Sequence, residues 1–379
     1  MRIGIMTHWW CQENYGQQLQ AFALQRVLKE LGHQPLLIRY RPVSSWKRRI
    51  KRALFTPGLL VDRLKMSGSD LDDRTAVWQA RAFDKFKATY LNSTNGIYNS
   101  YAQLCSSDEI STEAYICGSD QVWNEHFVMH DDNGRPWFLD FGPDDAKRIA
   151  YAPSFGAFTL SKPYLNYITP MLKRFNAVSV RETTGVGLCR EAGRADAVHV
   201  LDPTLLLEKE SYLKLSSQEE QKFNIEKPYA FFYFLKTKDD DFPFGDMIKM
   251  CCKMGLSIVV ATVYEDIEEL KPYTIQPTIP EWVELVRGAK VVFTNSFHGT
   301  AFSVLMNRPF VVFPRKNKSS GMNSRIESLL SGLGLSRQIY HERRSIEQIA
   351  SKKIEWNSIN EKLHFLRQGS LAYLKVRLQ

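Results

Sequence analysis

At 379 residues, with 44% hydrophobic and 24% charged side chains, the chain has the composition of a soluble globular protein and is too long for one ordinary core, so two domains are expected. No run approaches bilayer length, and Met1-Arg2-Ile3-Gly4-Ile5-Met6 turns polar too soon for a signal peptide, so the expectation is a cytoplasmic protein without a membrane span. A formal charge of +9, from 50 Lys and Arg against 41 Asp and Glu, favours anionic partners such as phosphorylated metabolites, anionic lipid or nucleic acid. No zinc finger or RNP-type strand is present to support the last of these. The six cysteines have neither disulfide-framework nor zinc spacing and read as reduced, mostly packing residues.

Taken in order, residues 2–6 form an apolar strand and residues 16–31 a helix with Ala21, Leu24, Leu28 and Leu31 on one face, ended by Gly32. With a strand over residues 35–40 this makes an opening βαβ unit. The loop inside it holds His8, Trp9, Trp10, Gln12, Asn14 and Tyr15, with Gly16 at the helix entrance. It is fit for a ligand, but it lacks the Gly-x-Gly-x-x-Gly dinucleotide spacing. Residues 41–95 are an excursion whose basic, aromatic part, Trp46 to Lys65, fits an anionic membrane contact, a lid or a solvated helix. A helix over 75–90 follows, in which Trp78, Phe83 and Phe86 are expected to pack down.

Strands over 114–117, 148–152, 177–180 and 198–201 then each run into polar residues: Ser119 and Asp120, Ser154, Arg181 and Glu182, and Asp202. Consecutive strands ending this way imply one polar rim on a parallel sheet. A charged stretch over 207–227 marks the domain boundary, and a second α/β set follows. In it, the strand over 291–293 leads into Thr294-Asn295-Ser296-Phe297-His298-Gly299-Thr300, read as a strand-to-helix loop before a helix beginning at Ala301. Free backbone N–H groups and a helix dipole favour an anion there. His298 reads either as a reaction-site residue or as a helix cap, with Gly299 only making the turn. The expected domains are 1–206, 207–345 and a helical tail over 346–379 anchored by Ile359, Leu363, Leu366 and Leu371. The expected fold is α/β, with two Rossmann-like parallel-sheet domains facing across a cleft.

The two rims carry the candidate chemistry. Arg181 can fork onto a carboxylate or phosphate, or pair with Glu182 or Asp202 as an ordinary ion pair. Asp120 can act as a base or cap the helix that follows it. His126 and His130 have i, i+4 spacing without a metal-site frame and read as surface residues, and His199 reads as a core residue.

Several stretches, in order, resemble the polysaccharide pyruvyl transferase family. They are Asn14-Tyr15-Gly16 with its helix ending at Leu31-Gly32-His33, then Gly118-Ser119-Asp120-Gln121-Val122-Trp123-Asn124, then Ala150-Tyr151-Ala152-Pro153-Ser154-Phe155-Gly156. Ser179-Val180-Arg181-Glu182, Leu201-Asp202-Pro203-Thr204 and residues 294–300 with Pro309 complete the set. The resemblance runs from Met1 to about Tyr340 and implies a fold similar to GT-B glycosyltransferases. It implies phosphoenolpyruvate as donor, no further cofactor and no metal, and a sugar acceptor whose hydroxyl pair becomes a cyclic pyruvate ketal. His298 and Arg181 would hold the donor, and Asp120 is the candidate base. Asn14, Tyr15, Gly16, Ser119, Ser154, Asn295, Ser296, Gly299 and Thr300 are the candidate substrate-binding residues. Many members carry Asp where Asn295 stands, so an ionised base is not expected at that position. An acceptor on a polyprenyl diphosphate would bring the protein to the inner membrane face. A nucleotide-sugar glycosyltransferase and a non-catalytic carbohydrate-binding protein fit the same scaffold.

Overall fold

The computed structural model describes residues 1–42, 76–130, 134–217, 223, 225, 228–235, 241–261 and 268–379. The basic stretch Trp46 to Lys65 lies outside them.

The chain opens with β1 (Arg2–Met6), α1 (Tyr15–Glu30) and β2 (Gln34–Leu37), then α2 (Phe83–Tyr90) and β3 (Ala114–Cys117). It continues with α3 (Glu125–His130), β4 (Lys147–Ala150), α4 (Lys162–Leu172), β5 (Ala177–Val180), α5 (Thr183–Glu191) and β6 (Val198–His199). These strands form a six-stranded sheet in the order β2-β1-β3-β4-β5-β6. Its pairings are parallel throughout, with Ile5 opposite both Leu37 and Ile116.

After α6 (Lys209–Ser216), a second sheet is built from β7 (Tyr229–Tyr233), β8 (Ser257–Val260), β9 (Val291–Thr294) and β10 (Phe310–Val312). Its order is β10-β9-β7-β8, again parallel. Helices α7 (Phe244–Lys253), α8 (Ile279–Gly288), α9 (Phe297–Leu305), α10 (Ser324–Leu333) and α11 (Trp356–Leu378) complete it.

Strand alternation decides where each core lies. In β7, Tyr229, Phe231 and Tyr233 join a core that also holds Ile5, Leu24, Trp282 and Phe302, while Ala230 and Phe232 face a second core with Phe293 and Phe313. The two sheets therefore meet through one continuous apolar core. Tyr15 lies in it, stacked on Trp282 at 5.5 Å and donating its hydroxyl to the Pro277 carbonyl at 2.8 Å. Helix α11 returns to the first sheet, where Ser370 Oγ accepts from Leu201 N (3.0 Å) and Arg367 Nε donates to the Leu205 carbonyl (2.7 Å).

Two local expectations change. Ala82 takes a left-handed φ of +50° and breaks the helix expected over 75–90, leaving Trp78 40% exposed while Phe83 and Phe86 are buried. The helix expected from Ala301 starts four residues earlier, at Phe297, because Ser296 caps it by accepting from Gly299 N. His298 thus stands in the first helical turn rather than in a loop. No described helix is long and apolar enough to cross a membrane.

Candidate functional site

The carboxyl ends of β3, β4 and β5 and the residues after β6 converge on a buried charge network. Beyond β3, Asp120 has φ +78°, and beyond β4, Ala152 has φ +57°. Left-handed non-glycine residues cost free energy, and Asp is among the types that tolerate it. Here the two loops hold each other: Asp120 bridges to Pro153, and Ser154 N donates to the Asp120 carbonyl at 2.9 Å.

Arg181, fully buried at the end of β5, is the centre of the network. Its Nη1 donates to Asp202 Oδ2 at 2.8 Å and its Nη2 lies 3.7 Å from Asp120 Oδ1. Its guanidinium also covers the Phe297 ring at 4.6 Å, a cation–π contact tying β5 to α9. Asp202 accepts further bonds from Ser119 Oγ (2.6 Å), Thr204 Oγ1 (2.6 Å) and Thr204 N (2.9 Å).

Each carboxylate faces an imidazole. His298 Nε2 is 3.7 Å from Asp202 Oδ2, and His8 Nδ1 is 3.6 Å from Asp120 Oδ2. Burial works against ionisation of both acids. It is outweighed at Asp202 by His298, Arg181 and Ser119, and at Asp120 by His8, Arg181 and His298, so both carboxyls are held well below the usual range.

Gly16 explains how the histidine is seated. A Cβ there would lie 2.0 Å from His298 Nδ1, so only glycine lets the start of α1 pass the imidazole. Asn14 caps that helix by accepting from Gln17 N at 3.2 Å. The starts of α1 and α9 thus meet at His298.

A second buried layer lies behind Arg181. Glu182 accepts from Phe155 N (2.8 Å), Ser154 Oγ (3.0 Å) and Gly156 N (3.3 Å), and burial raises its pKa despite the nearby Arg181 and Arg325. Arg325, in the first turn of α10, is pushed down to about 9 by burial and by the Arg181 charge, against the pull of Asp120 and Glu182.

Of the sequence candidates, Asp120, Arg181, His298, Gly16 and Ser119 come together in this network, with Ser154 beside it on Glu182. Others take supporting positions. Tyr15 belongs to the core between the sheets. Asn295 has its amide committed to Leu235, accepting from its N–H at 2.7 Å and donating to its carbonyl at 2.6 Å. Ser296 and Thr300 bond within the α9 turn, Thr300 Oγ1 donating to the Ser296 carbonyl at 2.9 Å. A Cβ on Gly299 would meet Thr294 Oγ1 at 2.4 Å, so this glycine lets α9 sit close on β9. Asp120 caps no adjacent helix; its Oδ1 accepts from Gln121 N at 2.9 Å.

Sequence reasoning did not select Asp202, His8, Glu182 or Arg325 as site residues. The signals were present: Asp202 and Glu182 each follow a strand within a quoted stretch, and His8 sits in a loop already singled out. Arg325 gave none, since it reads as the polar face of an ordinary helix. No group of residues suited to holding a metal occurs among the described residues.

Two parallel sheets sharing a core, with buried polar strand ends between them, form an α/β scaffold of the GT-B type. A solved UDP-N-acetylglucosamine 2-epimerase from Rickettsia bellii shares this fold, with a TM-score of 0.50 at 9% identity over 99% of this chain and 98% of that one. One from Neisseria meningitidis bound to UDP-GlcNAc gives 0.47 at 10% identity over 98% and 94%. An E. coli heptosyltransferase with ADP gives 0.38 at 14% over 85% and 90%. No curated protein matches the chain. The polysaccharide pyruvyl transferase family model matches residues 14–317, and the chain belongs to that family.

Proposed function

We propose that the protein transfers the pyruvyl group of phosphoenolpyruvate onto two hydroxyls of a sugar, of galactose type in a capsule or exopolysaccharide precursor, forming a cyclic ketal and releasing phosphate. The supporting observation is a set of buried, unmatched nitrogens. Arg181 Nε and Nη2 and His298 Nε2 have no hydrogen-bond partner, in a region where buried polar groups are normally satisfied. Arg325 adds a further buried cation, whose charge a dianion would stabilise.

In this reading Arg181 and Arg325 neutralise the donor's carboxylate and phosphate. His298 protonates the methylene carbon, leaving an oxocarbenium-like centre that the first hydroxyl attacks; the C–O bond to phosphate then breaks and the second hydroxyl closes the ring. One proton is added to carbon, two leave the hydroxyls, and the departing phosphate takes up the remaining one. Asp202, 3.7 Å from Nε2, orients the His298 ring. Asp120, held below the usual carboxylate range, aligns the acceptor hydroxyl as a hydrogen-bond acceptor. No step calls for a metal or other cofactor.

His298→Ala tests this directly. Phosphate release from phosphoenolpyruvate, with methyl galactosides as acceptors, is expected to fall by about 10²–10⁴-fold. Turnover near wild type would end the catalytic assignment. Phosphoenolpyruvate, rather than nucleotide sugars, is expected to raise the thermal midpoint of the wild-type protein.

A further inference from the structure

The loop after β1 is rich in aromatic and polar residues, and only the glycine that follows it, Gly16, bears on the donor chemistry through His298. We infer that it forms, with α3, an acceptor subsite: an aromatic platform that holds the apolar face of a pyranose ring beside His8 and Asp120. The assignment of this subsite as the acceptor's rests on the pyruvyl-transfer reading.

Three aromatic rings from separate parts of the chain converge on the His8 imidazole. Trp10 meets it edge to face at 5.1 Å and 65°, Trp137 at 5.1 Å and 87°, and Phe127 at 6.0 Å and 82°. Trp10 also tilts against Trp137 at 6.0 Å. The group passes from buried to open: Trp137 and His8 are buried, Trp10 is half-buried and Phe127 is 40% exposed. Phe127 is among the exposed large hydrophobics of the described residues, and its ring is set against His8.

The platform is continuous with the charge network through the 3.6 Å approach of His8 Nδ1 to Asp120 Oδ2. A pyranose has patches of C–H groups on its faces and hydroxyls around its rim. Aromatic rings hold the first by dispersion and by their negative faces, and a carboxylate or imidazole accepts hydrogen bonds from the second. Charge separates this end from the donor's. His8 approaches one oxygen of the Asp120 carboxylate, Oδ2, and Arg181 the other, Oδ1, so the acid, which repels phosphate, is shared between the imidazole and the arginine. A neutral sugar therefore suits the platform and an anion suits the arginines. Hydroxyls held at Asp120 would stand next to the group that Arg181 holds.

The test measures binding, with saturation-transfer NMR for the methyl β-pyranosides of galactose, glucose and mannose, and calorimetry for phosphoenolpyruvate. In Trp10→Ala and Phe127→Ala, affinity for the pyranosides that bind wild type is expected to fall about tenfold, matching the worth of an aromatic contact. In Trp10→Phe and Phe127→Tyr, which keep a ring, it is expected to stay within about threefold. Phosphoenolpyruvate affinity is expected to be unchanged in all four variants. Undiminished pyranoside affinity in the two alanine variants would overturn the platform, as would a wild-type protein that binds none of the three. Weakening of uridine monophosphate instead of pyranosides would assign the platform to a nucleobase and overturn it equally. If wild type binds sugar but not phosphoenolpyruvate, the pyruvyl-transfer reading fails while the sugar platform stands.

Discussion

The turn after β5 and the turn after β9 have the same plan, a buried strand running through polar residues into a helix, yet they use those residues differently. After β5, Arg181 and Glu182 reach other segments: Arg181 to Asp202, Asp120 and Phe297, Glu182 to the loop beyond β4. After β9, Thr294 donates to the Tyr233 carbonyl, Asn295 clamps Leu235 and Ser296 caps its own helix. Phe297 and His298 are the side chains that this turn presents to the network. A polar strand end is therefore not in itself a reactive one. What separates the two is whether the polar atoms are already satisfied by local backbone.

Removing the centre of the first turn should break the comparison most severely. Arg181→Ala leaves Asp202 and Asp120 buried without their shared cation, which is expected to cost about 3–5 kcal/mol in urea unfolding and to abolish phosphate release. Wild-type stability would mean that Ser119, Thr204 and the histidines suffice for the two acids. Gly16→Ala acts on the second turn from outside it. The added Cβ must displace either α1 or His298, and overpacking of this kind costs about 1–3 kcal/mol. Phosphate release should fall towards the His298→Ala level although no polar group has been removed. Activity close to wild type would show that the histidine works from another position.

The extent to which this was legible in the sequence follows from the same contrast. Apolar runs such as 114–117 and 291–293 fix strands, and the polar residues after them fix the rim, because both are local patterns. The start of α9 was misplaced because apolar periodicity resumes only at Ala301, whereas the helix is set by the Ser296 cap. Asp202 as the junction of the site was not legible. Its partners Ser119, Arg181, Thr204 and His298 come from several chain segments, and their meeting depends on strand order and on how the two sheets pack. His8 is similar: its loop looked fit for a ligand, but the rings around it include Phe127 and Trp137, far along the chain. Arg325 becomes part of the site only because α10 packs against α5, where Ser328 Oγ meets Thr183 Oγ1 at 3.0 Å.

Asn295 offers the finest test of the distinction, because the resemblance places Asp at this position in many relatives. The amide both accepts from Leu235 N–H and donates to the Leu235 carbonyl, and a carboxylate can do only the first. Asn295→Asp would set a buried negative oxygen against a carbonyl oxygen, at a cost of about 1–3 kcal/mol for the lost bond and the unsatisfied acceptor. If the position only clamps the end of β7, the thermal midpoint should fall while kcat measured below that midpoint stays within about threefold, well short of the hundredfold and larger changes that proton-transfer groups give. A rise in kcat with a new acidic limb in the pH–rate profile would instead give this position a proton to carry. It would give the second turn a proton-carrying residue beside the His298 it already presents.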